Sequence, residues 1–154
     1  MERAAIPEST RVFLRSMARD LKAEYGRLEF SLQSGHLHGD FNVGNVLRDA
    51  AGHPRVIDLD GFATGPREWD LMQTAMYHDS FGWHAEAEYA DFVAGYDFDV
   101  REWVGYAVLR SVREFLMVTW LSQKAGANPR AADEVEKRVA TLRSCGSRRD
   151  WAPS

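Results

Sequence analysis

The stretch from Leu28 to Asp60 constrains the fold most, because it interrupts the helical patterns on either side of it. Its apolar runs are short and are broken by Gly, Asn, Asp and Pro, a composition typical of strands and loops. Within it, the segment VLRDAAGHP supplies turn residues between two expected strands, Asn45–Arg48 and Arg55–Leu59. The sequence therefore predicts a β-hairpin inside an otherwise helical chain.

Apolar residues at helical spacing predict the remaining elements. A first helix runs from Ser9 to about Arg27, with Ser9 or Thr10 as its N-cap and Gly26 as its stop. The segment DVRE (Asp99–Glu102) is typical of a capping box that opens a long helix. Further helices are expected from an Asp70 cap to about His78, over Ala85–Tyr96, over Val100–Lys124 with a wide apolar stripe that includes Leu116 and Trp120, and from Pro129 onward.

Composition excludes several classes of protein. The chain has 154 residues, the size of one ordinary domain, and a formal charge of −4 without a clustered basic stripe, so a nucleic-acid partner is not expected. A single cysteine and the absence of a CxxC pair indicate a reducing compartment. No signal-peptide pattern and no apolar run of ~20 residues occurs, so we expect a cytoplasmic protein without a membrane partner.

The hairpin brings two polar side chains together if it turns at the Ala51–Gly52 junction. Asn45 then faces Asp58, with Cβ atoms about 5 Å apart, and an amide and a carboxylate could share Mg²⁺. Asp40, in the loop before the first strand, would lie beside the metal as a base for a hydroxyl group. A register slip of one residue would turn Asp58 and Asp60 to the other face and put Leu59 in their place.

A metallohydrolase is the alternative for the same segment. HLHGDF, which begins at His36, resembles the HxHxDH pattern of metallo-β-lactamase-like proteins. Phe41 replaces a ligand of the second metal in that pattern, and no further His-rich motif follows. We therefore expect His36 to be a strand-end or surface residue.

Three segments resemble the aminoglycoside phosphotransferase and choline kinase-like family. HGDFNVGN matches its HGDxxxxN loop, VIDLDG its metal-binding aspartate segment, and GPREWDL a short segment that ends in Asp-Leu. The resemblance spans about Arg11–Trp120. It implies a protein-kinase-like C-terminal lobe, α+β and mainly helical, in which the small hairpin carries the catalytic and metal-binding loops.

The resemblance also implies roles for single residues. Asp40 matches the catalytic base, and Asn45 and Asp58 match the two magnesium ligands. The supporting residues are a loop histidine with an architectural role, a second aspartate near the metal, and an aspartate that steadies the loop from a helix N-terminus: His38, Asp60 and Asp70. The expected reaction is transfer of phosphate from ATP to a small-molecule hydroxyl group, with Mg²⁺ as cofactor.

The nucleotide-binding lobe of these kinases is missing from the sequence. Only 37 residues precede His38, no Gly-rich phosphate loop occurs, and the chain has three lysines, all in or at the end of predicted helices. We expect residues 1–154 to form one domain, the C-terminal lobe, either as a fragment or as a naturally short product. A rival interpretation is a non-catalytic module whose lobe-facing surface binds a second copy or a partner chain.

The segment Tyr77–Asp99 mixes aromatic and acidic residues. Two interpretations stay open for it: a binding surface for a cationic substrate, or a solvated acidic helix face with aromatic residues in the core.

Overall fold

Helices dominate the computed structural model of the protein, which describes residues 6–151. The described chain divides into two compact units, one of residues 6–28 and 108–151 and the other of residues 29–107. The helices are α1 (Glu8–Tyr25), α2 (Glu68–Asp79), α3 (Glu86–Tyr96), α4 (Tyr106–Lys124) and α5 (Pro129–Ser144), and the strands are β1 (Gly35–Leu37), β2 (Val46–Arg48), β3 (Pro54–Val56) and β4 (Ala63–Gly65). The predicted α+β, mainly helical class is confirmed.

The unit of residues 6–28 and 108–151 contains α1, α5 and most of α4. Its apolar core lines these helices and includes Leu14, Leu21, Leu109, Val118, Leu121, Val135, Val139, Leu142 and Trp151. The predicted N-cap of α1 is wrong, since the helix begins at Glu8 and Pro7 occupies the cap position. The Thr10 hydroxyl instead donates to the Glu136 carboxylate of α5 over 2.9 Å, so it serves a tertiary contact.

The buried face of α4 differs from the predicted apolar stripe. Val118 and Leu121 are buried, whereas Leu116 and Trp120 of the stripe are 42% and 46% exposed. The buried face also carries Glu114, whose carboxylate accepts from Nε and Nη2 of Arg148 at 3.0 Å each. A count of apolar residues misses this face because an ion pair, rather than an apolar side chain, fills one of its positions.

The unit of residues 29–107 contains two small antiparallel sheets, one of β1 with β4 and one of β2 with β3. The second is the predicted hairpin, but its register is shifted by one residue: Val46 pairs with Val56. Ile57 rather than Asp58 then lies across from Asn45, and the Ile57 amide donates to the Asn45 carbonyl over 2.9 Å. The predicted pairing of Asn45 with Asp58 is therefore wrong.

The turn explains the register. The Asp49 carboxylate accepts from the amides of Ala51 and His53, each over 2.9 Å, so the loop closes symmetrically about Ala51. Strand β3 ends at Val56, and Asp58 adopts a left-handed conformation (φ 60°, ψ 56°) that opens a 3₁₀ turn, Leu59–Gly61. The alternation of strand faces consequently stops before Asp58. Neither the predicted register nor the register slipped by one residue therefore gives the direction of the Asp58 side chain.

The DVRE segment forms a short 3₁₀ turn, Val100–Glu102, and α4 starts only at Tyr106. Asp99 does cap this turn, but its carboxylate accepts from the Arg101 amide rather than from Glu102. Trp103 is extended after the turn, and its ring lies 2.3 Å from where a Cβ on Gly105 would be. The indole ring therefore occupies the space beside Gly105. Residues 103–105 separate the turn from the helix.

The helix predicted over Ala85–Tyr96 is confirmed by α3, and the helix predicted from Pro129 by α5. None of the helices within residues 6–151 is both long enough and apolar enough to cross a membrane.

Candidate functional site

The loop from His38 to Asn45 is held by the first turn of α2. The Asp70 carboxylate accepts from the His38 amide over 2.7 Å and from the Gly39 amide over 2.9 Å. The Trp69 indole Nε1 donates to the Gly39 carbonyl over 3.0 Å. Asp70 was expected to cap this helix, but α2 begins at Glu68 and has no side-chain cap, so the carboxylate is used on the loop instead.

Gly39 lets the loop approach a second segment closely. Its φ is +86°, and a Cβ built on it would lie 2.5 Å from the Gly61 carbonyl oxygen. A Cβ on Gly61 would in turn lie 3.0 Å from the His38 carbonyl oxygen. The two backbones therefore pack directly on each other, which places Asp40 beside the 3₁₀ turn that follows Asp58.

His38 connects the loop to the segment before Asp58. Its imidazole Nε2 lies 2.8 Å from the Ile57 carbonyl, and its Nδ1 lies 3.3 Å from the Asp40 amide nitrogen. Because a carbonyl can only accept and an amide can only donate, the proton of this tautomer is on Nε2. Both ring nitrogens are thus used within the protein, and His38, which is buried, holds neighbouring segments together.

Asp40 and Asn45 are linked across the loop. The Asn45 amide nitrogen Nδ2 donates to the Asp40 carbonyl over 2.9 Å, and Asn42 Nδ2 donates to the same carbonyl over 3.1 Å. The side chain of Asp40 accepts at Oδ1 from Gln73 Nε2 of α2, over 2.6 Å. The loop backbone and the Asp40 carboxylate are therefore both fixed.

Asn45 and Asp58 offer oxygen atoms that suit a hard cation. The Asn45 amide nitrogen is used by the Asp40 carbonyl, so Oδ1 remains as the atom for a ligand. The Asp58 side chain is exposed, and among residues 6–151 it makes no hydrogen bond or ion pair. Mg²⁺ commonly takes one or two protein oxygens and completes its shell with water and substrate phosphates, so this donor set fits it.

The conformation of Asp58 is uncommon for a residue with a side chain. Left-handed backbone costs roughly 1–2 kcal/mol relative to ordinary conformations, although Asp and Asn tolerate it better than other residues. Non-glycine residues held this way are enriched at functional sites. Here the conformation ends β3 and turns Asp58 out of the strand.

Two further predicted residues lie apart from this network. Asp60 is exposed in the Leu59–Gly61 turn, and its carboxylate makes no hydrogen bond or ion pair within residues 6–151, so its supporting role stays a prediction. His36 lies in β1 and stacks on Phe62 with ring centroids 5.4 Å apart. Within the described range, no three side chains of His, Cys, Asp or Glu are arranged to hold a metal, and His38 has no ring nitrogen left for the metallohydrolase pattern.

Part of the acidic and aromatic segment has internal partners. The Asp99 carboxylate accepts from the Tyr89 hydroxyl over 2.8 Å and pairs with Arg101 over 2.8 Å. The hydrogen bonds from Arg101 lower the pKa of Asp99 to about 2, and burial raises the pKa of Tyr89. These residues stabilise the packing between α3 and the turn that precedes α4.

Large apolar side chains around the hairpin are exposed. They lie in the loop before β2, in both strands and in the segment that contains Asp58: Val43, Leu47, Val56, Ile57, Leu59 and Phe62. Each is at least 40% exposed. We call this group the apolar cluster.

Sequence reasoning missed two residues of the site, Trp69 and Gln73. Both lie on the face of α2 that carries Asp70, one helical turn or less from it. A signal for Gln73 was present, since it is a polar residue in the apolar run LMQTAM. No comparable signal marked Trp69, whose indole nitrogen finds its acceptor 30 residues away in the chain.

A family model described as the phosphotransferase enzyme family matches residues 2–115. The matched range covers most of the chain and includes the His38–Asn45 loop, Asp58 and all of α2. The comparisons with curated proteins and with solved structures found no match.

Proposed function

Because the chain belongs to the phosphotransferase enzyme family, we propose that it transfers the γ-phosphoryl group of ATP to a hydroxyl group of a small molecule, with Mg²⁺ as cofactor. The observation that carries this proposal is the fixed loop. Asp70 holds the His38 and Gly39 amides, so the loop presents Asp40 and Asn45 in one place, beside the segment that contains Asp58.

Asp40 is proposed as the base that orients the acceptor hydroxyl and takes its proton. Asn45 and Asp58 would hold Mg²⁺, which when bound neutralises negative charge on the phosphates of ATP. Most of the rate enhancement in such a site comes from positioning and charge, so the rigidity of the loop matters as much as the residues on it. Asp70 and His38 supply that rigidity, and Asp60 is proposed as a further support.

The test is phosphate transfer from γ-labelled ATP by the purified protein, with kanamycin or choline as the acceptor and ATP hydrolysis measured alongside. Asp40→Ala and Asp58→Ala should each lower the rate by about 100-fold or more, because each removes a group needed in the transition state. Asp133→Ala is the matched control, since Asp133 is exposed on α5 and lies outside both the loop and the acidic Tyr77–Asp99 segment. Wild-type rates in both variants would refute the assignment, and so would the absence of any transfer or hydrolysis by the wild type.

The apolar cluster favours a second candidate function, a non-catalytic module that binds a second copy or a partner chain. Large apolar side chains that stay exposed around the hairpin are available for contact with a second chain. Light scattering separates the two candidates together with the transfer assay. A stable oligomer without transfer supports the module, and a monomer that transfers phosphate supports the kinase.

A further inference from the structure

Gln73 is a fully buried polar residue that uses only half of its amide. Its side chain is 0% exposed, and its Nε2 donates to Asp40 Oδ1 over 2.6 Å. Because a carboxylate only accepts, the amide nitrogen must face Asp40 and the amide oxygen must face away. Within residues 6–151 that oxygen, Oε1, has no hydrogen-bond partner.

The unmatched oxygen argues against a role for Gln73 in packing alone. A buried carbonyl without a partner costs roughly 1–3 kcal/mol, whereas a methionine of the same length would fill the space at no such cost. The neighbours of Gln73 on α2, Leu71, Met72, Ala75 and Met76, are all buried and apolar. Packing alone would therefore favour an apolar side chain at this position.

We propose that Gln73 is a positioning residue that orients the Asp40 carboxylate toward the acceptor hydroxyl, an inference that rests on the proposed function. Asp70 and Trp69 hold the backbone of the loop, and Gln73 holds the Asp40 side chain itself. A donor fixed on Oδ1 sets the plane of the carboxylate and hence the direction of Oδ2. Loss of this donor removes one restraint on the χ2 rotation of the carboxylate while the backbone stays in place.

The test compares Gln73→Met with the wild type in the same transfer assay. Methionine keeps the length and volume but cannot donate, so kcat should fall about 10- to 100-fold while KM changes less than about two-fold. The melting temperature should stay equal to that of the wild type or rise, because the unmatched oxygen is removed as well. Gln123→Met, at an exposed position of α4, is the control for the substitution itself and should leave kcat unchanged.

A double-mutant cycle shows whether the effect runs through Asp40. In an Asp40→Asn background, Gln73→Met should change the residual rate by less than about two-fold, since the group it orients is gone. A lower melting temperature with unchanged kcat in Gln73→Met would show a structural role and overturn the inference. Wild-type kcat in Gln73→Met combined with an inactive Asp40→Ala would overturn it while the proposed function stands, and an active Asp40→Ala would overturn the proposed function.

Discussion

Gly39→Ala tests whether the site depends on direct backbone packing between the loop and the turn after Asp58. The hairpin contains a matched control in Gly52, whose φ of +84° is almost the same as the +86° of Gly39. The two positions differ in their surroundings. A Cβ on Gly52 would meet nothing within 4 Å, whereas a Cβ on Gly39 would lie 2.5 Å from the Gly61 carbonyl oxygen.

The expected magnitudes follow from this difference. Gly52→Ala adds only left-handed strain, which is about 1–2 kcal/mol. Gly39→Ala adds the same strain and a contact 0.9 Å shorter than the 3.4 Å at which ordinary van der Waals contact begins. The loop must move away from Gly61, which disturbs the bonds of Gly39 with Asp70 and Trp69. With about 1 kcal/mol for each of the two weakened bonds, the total for Gly39→Ala is about 3–4 kcal/mol.

The assay is equilibrium unfolding in urea, followed by far-UV circular dichroism and tryptophan fluorescence. Gly39→Ala should be less stable than Gly52→Ala by about 2 kcal/mol, with similar m-values for both variants. The transfer rate should also fall in Gly39→Ala, because Asp40 moves with the loop, and stay near wild type in Gly52→Ala. Equal destabilisation by the two substitutions would refute the argument, since it would show that the contact with Gly61 contributes nothing.

Two further predictions concern stability alone. The pKa of Asp99 is about 2 in the folded protein against an ordinary value of 3.8, so its hydrogen bonds with Arg101 and Tyr89 together stabilise the fold above pH 4 by about 2 kcal/mol, and this contribution is lost as the pH falls toward 2. Unfolding of Asp99→Asn should therefore differ from wild type at pH 7 and converge with it near pH 2; a difference that does not change with pH would contradict this. Asn128 caps α5 by accepting from the Arg130 amide over 3.0 Å, so Asn128→Ala should lower the free energy of unfolding by about 1 kcal/mol and Asn128→Ser by much less, as thermal unfolding can measure. Equal losses in both variants would rule out a capping effect.

The elements of the fold were predictable where their signals are local. Apolar spacing and terminal residues placed α1, α3 and α5 to within about two residues, and the turn residues of VLRDAAGHP placed the hairpin. The motif HGDFNVGN and the later aspartate segment directed attention to Asp40, Asn45 and Asp58. All of these signals depend on residues that are neighbours in the chain.

The start and the buried face of α4 were not predictable in the same way. A capping-box pattern at Asp99 indicated a helix start, but the backbone is extended at Trp103 and α4 begins only at Tyr106. The buried face of α4 carries Glu114, which is neutralised by Arg148 from 34 residues away. A charged residue can be recognised as buried only when its partner is known.

By itself, the sequence determined the fold class, the order of the helices and the hairpin, and the segments that carry the proposed chemistry, because these follow from spacing, turn composition and short motifs. The tertiary structure decided the hairpin register, the packing of Gly39 on Gly61 and the contact of Gln73 with Asp40. The reason is that each of these depends on distances between segments that are far apart in the chain, where a shift of one residue or one ångström changes which atoms meet. The residue types were visible in the sequence, but their partners were not.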